Sequence, residues 1–150
     1  MSSKIVKERA IVLSVKPRWA NLILSGKKTV ELRRRFAASL SERTSALLYA
    51  SAPLSAVVGM ITIEKVLQDK PEQLWTEVEH LIGVDHCMYS RYFAGAMSGT
   101  AIFLCEPKIM AQPLPLARLR EDIGFSPPVS WRWAKPSECQ LIESIKCGLS

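Results

Sequence analysis

The stretch GKKTVELR, Gly26 to Arg33, sets one carboxylate among cations. From Lys28 its period is two: Val30 and Leu32 point one way, Thr29, Glu31 and Arg33 the other. Such alternation is the signature of a half-buried strand. Lys28 then reaches the polar face from the strand's end, where an ammonium can meet a phosphate or carbonyl oxygen. Partial desolvation beside Arg33 would lower its pKa and let it act as a base. Glu31 can form a structural ion pair, accept from the exocyclic amine of a base, or serve as acid or base. A surface that only attracts phosphate gains nothing from Glu31, which repels the same anion, so the stretch reads as a binding or catalytic site. Arginine forks suit phosphate; Arg33 and Arg35 follow the cleft face and Arg34 lies opposite. Gly26 either ends the preceding helix or brings the backbone close to a ligand.

Other residues join this set. Lys16 lies upstream at the cleft margin. Ser51 follows Tyr49 on one strand face and offers a hydroxyl. Trp19, Tyr49, Tyr92, Trp131 and Trp133 are stacking surfaces for bases, unless they are core, as large aromatics commonly are. Trp75 lies on a regular apolar helix face and belongs to the core.

Other chemistries lack their residues. His80 and His86 are the only histidines, and their spacing fits neither an HExxH motif nor a helical metal pair. Cys87, Cys105, Cys139 and Cys147 form no CxxC pair and read as reduced thiols of a cytoplasmic protein. There is no GxSxG around a serine and no glycine-rich phosphate loop. No metal or cofactor is expected. No apolar run reaches membrane-spanning length, and Met1 to Arg9 lacks the apolar core of a signal peptide.

The elements that must position these residues follow from periodicity. Ala10–Val15 is a short, almost wholly apolar run, a buried strand. KPRWANLILSG is a short helix, with Pro17 in its first turn and Gly26 at its exit. After the GKKTVELR strand and a loop at Ala37–Arg43, strands follow at Ser45–Ser51 and Ala56–Gln68, the second long enough to bend at Gly59. Leu74, Trp75, Val78, Leu81 and Ile82 form a helix face from Pro71, and a second short helix spans Asp85–Phe93. Gly99–Met110 is a long strand. PLPLARLREDIGF is extended with one helical turn, SPPVSWRW is a rigid turn, and KPSECQLIESI closes as a helix. The result is one α+β domain over residues 1–150, about five strands flanked by short helices, closing toward a barrel. Met1–Glu8 and Cys147–Ser150 read as disordered ends.

Charge narrows the partner. The chain of 150 residues carries a net charge of +6, unevenly placed. Lys27, Lys28, Arg33, Arg34 and Arg35 cluster, whereas Glu64, Asp69, Glu72, Glu77, Glu79 and Asp85 gather in the middle. A clustered basic face selects an anionic partner, with nucleic acid first.

The same residues carry a family resemblance. GKKTVELR is similar to the G-x-K-x-x-E-x-R signature of the ASCH superfamily, relatives of the PUA domains. YASAP (Tyr49–Pro53), AVVG (Ala56–Gly59), YFAG (Tyr92–Gly95) and PPVSWRW (Pro127–Trp133) follow in order. The resemblance implies a PUA-like small mixed β-barrel with a cleft beside the signature and an association with RNA, single-stranded nucleic acid or a nucleoside or nucleotide. It leaves three activities open: binding of RNA or a nucleotide; metal-independent hydrolysis of RNA or of an acetylated cytidine, with Lys28 and Glu31 as catalytic residues; and a protein-interaction module. The amidohydrolase branch resembles an enzyme using a lysine, a threonine nucleophile and a glutamate. Its lysine matches Lys28, but its threonine position holds Glu31, and a carboxylate cannot replace a hydroxyl in acyl transfer.

Overall fold

The computed structural model of the chain describes residues 9–37, 40 and 43–148. The expected tail at Met1–Glu8 and most of the expected loop at Ala37–Arg43 lie outside them. In chain order the elements are β1 (Ala10–Val15), α1 (Pro17–Leu24), β2 (Val30–Arg33), β3 (Thr44–Ala50), β4 (Ala56–Asp69), α2 (Pro71–Val78) and α3 (His86–Tyr92). Then follow β5 (Gly99–Pro115), α4 (Leu116–Ile123), β6 (Trp131–Trp133) and α5 (Pro136–Lys146).

All strands join one six-stranded sheet in the order β2-β5-β4-β3-β1-β6. β1 and β3 run parallel, and the other neighbours are antiparallel. The fold is α+β with a curled half-barrel sheet, as expected, but with six strands instead of about five. The sixth is β6, inside the segment read as a rigid turn; three residues are too few to show a period. The segment read as one helical turn is the two-turn helix α4.

Curling follows from β4 and β5. Their register shifts at Val57/Gly59, Met60/Thr62 and Ile63/Lys65, and each bulge adds bend and twist. Gly59 belongs at the first bend, because a Cβ there would lie 2.3 Å from the Lys108 carbonyl oxygen. The bending brings the two free edges, β2 and β6, toward each other, and Arg33 spans the seam. Its Nη2 donates to the Ser14 carbonyl of β1 (2.9 Å) and its Nη1 to Ser130 Oγ beside β6 (3.2 Å).

The curl makes three apolar layers, which explains why β1 is apolar at every position but Ser14: both its faces are covered. Ile11, Leu13, Leu48, Ile61 and Ile102 fill the inner side around Ile23 and Leu24 of α1. Val12, Leu47, Tyr49 and Met60 pack outward against Leu119, Phe125, Ile142 and Ile145. Val30 and Ala101 pack outward against Leu74, Val78, Tyr89 and Phe93 of α2 and α3. The alternation read in GKKTVELR is therefore real: Val30 is fully buried toward the helices, while Glu31 and Arg33 turn to the seam. Among the described residues no helix is long and apolar enough to cross a membrane.

Candidate functional site

A cavity of about 510 Å³ opens at the seam, within the ordinary range for a small-molecule or nucleotide site. It lies just beyond the carboxyl ends of the parallel pair, where Val15 faces Ala50. The chain must turn away there, so Lys16 and Ser51 fall on the rim. α1 begins at once with Pro17 at its first position, where a missing N–H costs nothing, and its first turn places Arg18 and Trp19 in the wall. The helix closes at Ser25, and Gly26 follows with φ +78°, a left-handed turn that suits glycine. The turn sends the chain back so that the Lys28 N–H bonds to the Leu22 carbonyl (2.9 Å) and the Lys28 side chain enters the cleft. β2 then contributes Glu31 and Arg33 to the floor, and α3 contributes Met88, Tyr89 and Tyr92 to the far wall.

Four cations (Lys16, Arg18, Lys28, Arg33) face one carboxylate, Glu31. Lys28 is half-buried and lies over the Trp19 ring, 4.8 Å from its centroid. Arg18 lies over the same ring at 4.2 Å. Burial lowers the Lys28 pKa below 10.5; the Glu31 charge opposes that shift and Arg33 adds to it. Lys28 Nζ makes no hydrogen bond or ion pair among the described residues.

Glu31 is only 8 % exposed. Its Oε1 is 3.9 Å from Arg33 Nε, and its Oε2 is buried with no hydrogen-bond partner among the described residues. A buried polar oxygen left this way costs of order 1–3 kcal/mol. Arg33 does not relieve it, because Ser14 and Ser130 take its hydrogen bonds. Lys28, Glu31 and Arg33 thus sit together by charge, with hydrogen-bonding capacity left at Lys28 and at Glu31 Oε2.

Tyr92 is fixed in the wall. Its hydroxyl donates to the Leu32 carbonyl (3.1 Å), and Arg34 Nη1 returns along the same path to the carbonyls of Tyr92 (2.8 Å) and Ala94 (3.1 Å). Burial raises the Tyr92 pKa, so its hydroxyl stays a donor.

The structure therefore brings Lys16, Lys28, Glu31, Arg33, Ser51 and Tyr92 together, with Trp19. Six expected residues lie elsewhere. Tyr49 is 4 % exposed and stacks on Phe125 at 5.7 Å in the outer layer. It does not share a face with Ser51, because β3 ends at Ala50 and strand parity stops there. Arg35 is exposed beyond the end of β2 and does not line the cavity. Gly26 and Thr29 are exposed too: the glycine shapes the turn and does not touch the cavity. Trp131 and Trp133 are 5.6 Å apart on β6, and Trp131 packs on Phe36, away from the cleft.

Sequence reasoning missed Arg18, Ser14, Met88 and Val129. Arg18 had a signal, a cation beside Trp19 in a helix's first turn. Val129 is fully exposed at the cleft mouth, and only the curl brings its loop there. Among the described residues no three His, Cys, Asp or Glu side chains gather as a metal site.

A family model described as the ASCH domain matches residues 13–109. An ASCH domain-containing ribonuclease of Zymomonas mobilis is 34 % identical over 143 residues, which are 94 % of this chain and 95 % of that protein. The crystal structure of an ASCH protein from Zymomonas mobilis superposes with a TM-score of 0.80 at 31 % identity, covering 92 % of this chain and 96 % of that one. The N-terminal domain of Staphylothermus marinus McrB shares the fold at 12 % identity, with a TM-score of 0.55 over 90 % of this chain and 93 % of that one.

Proposed function

The chain belongs to the ASCH domain family, and from that premise we propose that it binds single-stranded RNA in the seam cleft and cleaves it there. The observation that carries this reading is Lys28: a half-buried cation with a lowered pKa and no hydrogen-bond or ion-pair partner among the described residues, beside three further cations. The near full-length match to a protein named as a ribonuclease supports it.

The chemistry assigned to the cleft is modest. Lys16 and Arg18, both exposed at the rim, attract the phosphate backbone and neutralise the reacting phosphate. The fraction of Lys28 that is uncharged takes the proton of the ribose 2′-hydroxyl. The 2′ oxygen bonds to phosphorus, the bond from phosphorus to the 5′ oxygen breaks, and the leaving oxygen takes a proton from water. Glu31 keeps Lys28 from losing its charge altogether, and Arg33 holds the floor. Trp19 and Tyr92 offer ring surface to the bases.

The test is cleavage of a mixed-sequence single-stranded RNA, with and without added divalent cation. Lys28→Met should lower the rate by ~10²-fold or more with melting unchanged or raised. A single 2′-deoxy substitution should block cleavage at its own position. Cleavage that survives both changes would contradict the assignment of Lys28.

A second reading rests on the cavity volume, which admits one nucleoside: hydrolysis of an acetylated cytidine. It needs a hydroxyl nucleophile, and Ser51 would have to supply it, because Glu31 cannot.

A further inference from the structure

Lys28 and Glu31 are close enough for the Glu31 charge to oppose the shift in the Lys28 pKa, yet they form no ion pair. Both are partly or largely removed from water, and both have hydrogen-bonding capacity left over. Two opposite charges held near each other without contact leave room for a ligand group that donates to one and accepts from the other.

Resting on the RNA reading above, we infer that Glu31 reads the Watson–Crick edge of an unpaired guanine, with the cations of the cleft on its carbonyl side. A carboxylate only accepts and an ammonium only donates. Guanine presents two donors in a row, the 2-amino group and N1–H, followed by the O6 acceptor. The two donors satisfy Oε1 and Oε2 together, and O6 faces the cations of the cleft. Cytosine and adenine offer one donor group flanked by acceptors, which leaves a Glu31 oxygen unmet or repelled. Uracil offers one N–H between two carbonyls, and a carboxylate meets one of those oxygens. A polar group left unpaired in a buried site is what makes such discrimination strong.

The surroundings fit this role. Arg33 stands 3.9 Å from Oε1, yet its own hydrogen bonds go to Ser14 and Ser130. The terminal torsion of a glutamate is broad, so either oxygen can turn toward a donor in the cleft. The Tyr92 ring, set by its hydroxyl bond and by edge contact with Phe93 at 4.8 Å, and Met88 form an apolar wall for a base plane.

The experiment is equilibrium binding of the full chain to four short single-stranded RNAs of one fixed context, each with a single central G, A, C or U. A fifth carries inosine, which keeps N1–H and O6 and lacks the 2-amino group. The G oligomer should bind about tenfold or more tighter than the A, C and U oligomers, with inosine between. Glu31→Gln should abolish the preference while its melting temperature stays near that of the wild type. Because the inosine comparison uses the unaltered protein, a folding defect in the variant cannot decide the matter. Equal affinity for all five RNAs, or preference for C over G, would overturn the inference and leave the RNA reading standing. Binding of none of them would overturn both.

Discussion

Two buried glutamates of this fold have opposite hydrogen-bond accounts. Glu138, at the start of α5, is 1 % exposed. Arg132 clasps it with two bonds, Nη1 to Oε1 at 2.6 Å and Nη2 to Oε2 at 2.7 Å, and the Lys135 N–H adds a third at 2.8 Å. Arg132 in turn gives its remaining donors to the carbonyls of Ser126 and Trp133. Glu31, at 8 % exposure, has an arginine at 3.9 Å and an oxygen with no partner. The difference teaches that burial and an arginine neighbour do not define a structural ion pair. What separates the two is satisfaction: the first region ties α5 and β6 together, and the second holds its capacity in reserve beside a cavity.

The largest effect that sharpens the contrast is on stability. Glu138→Gln leaves a half-buried guanidinium without its carboxylate, and breaking such a pair costs roughly 3 kcal/mol. Denaturant titration should record that loss. A loss below about 1 kcal/mol would erase the contrast from this side.

Acid should find the same region. Burial pushes the Glu138 pKa up, but the Arg132 and Lys135 hydrogen bonds and charges outweigh it and hold it below 4.5. A depressed carboxylate gives stability that is fully present above its unfolded value of 4.5 and is lost as pH falls through the lower folded value. Melts between pH 5 and 2 should therefore fall more steeply for the wild type than for Glu138→Gln. Parallel curves would deny the pair its role.

A smaller effect belongs to the cleft wall. Arg34→Ala removes the bonds to the carbonyls of Tyr92 and Ala94 and should cost about 1 kcal/mol. It should raise the RNA dissociation constant a few-fold through a looser Tyr92 and lower the melting temperature by only about 2–4 °C. An unaltered dissociation constant would remove α3 from the interface.

The contrast also shows what sequence could reveal. The strand period of Lys28–Arg33 placed Val30 toward helices and Glu31 toward a polar space, because one apolar layer per face is written in alternation. The same logic failed at Tyr49 and Ser51, since parity carries no information past a strand's end. Nothing local marks Arg33 as the bridge across the seam, because Ser14 and Ser130 reach it only after β4 and β5 bend. Nor does a pattern distinguish Glu31 from Glu138: each has an arginine nearby in sequence. Only the bond geometry tells them apart.

The most direct test measures melting temperature and RNA binding together for Glu31→Gln and Glu138→Gln. The account predicts a crossed result. Glu138→Gln should melt well below the wild type yet bind RNA normally at a temperature where it is folded. Glu31→Gln should melt at or above the wild type and lose its discrimination among RNA bases. If instead Glu31→Gln lowers the melting temperature as far as Glu138→Gln and leaves RNA recognition intact, Glu31 is a structural ion pair and the seam cleft is not the site.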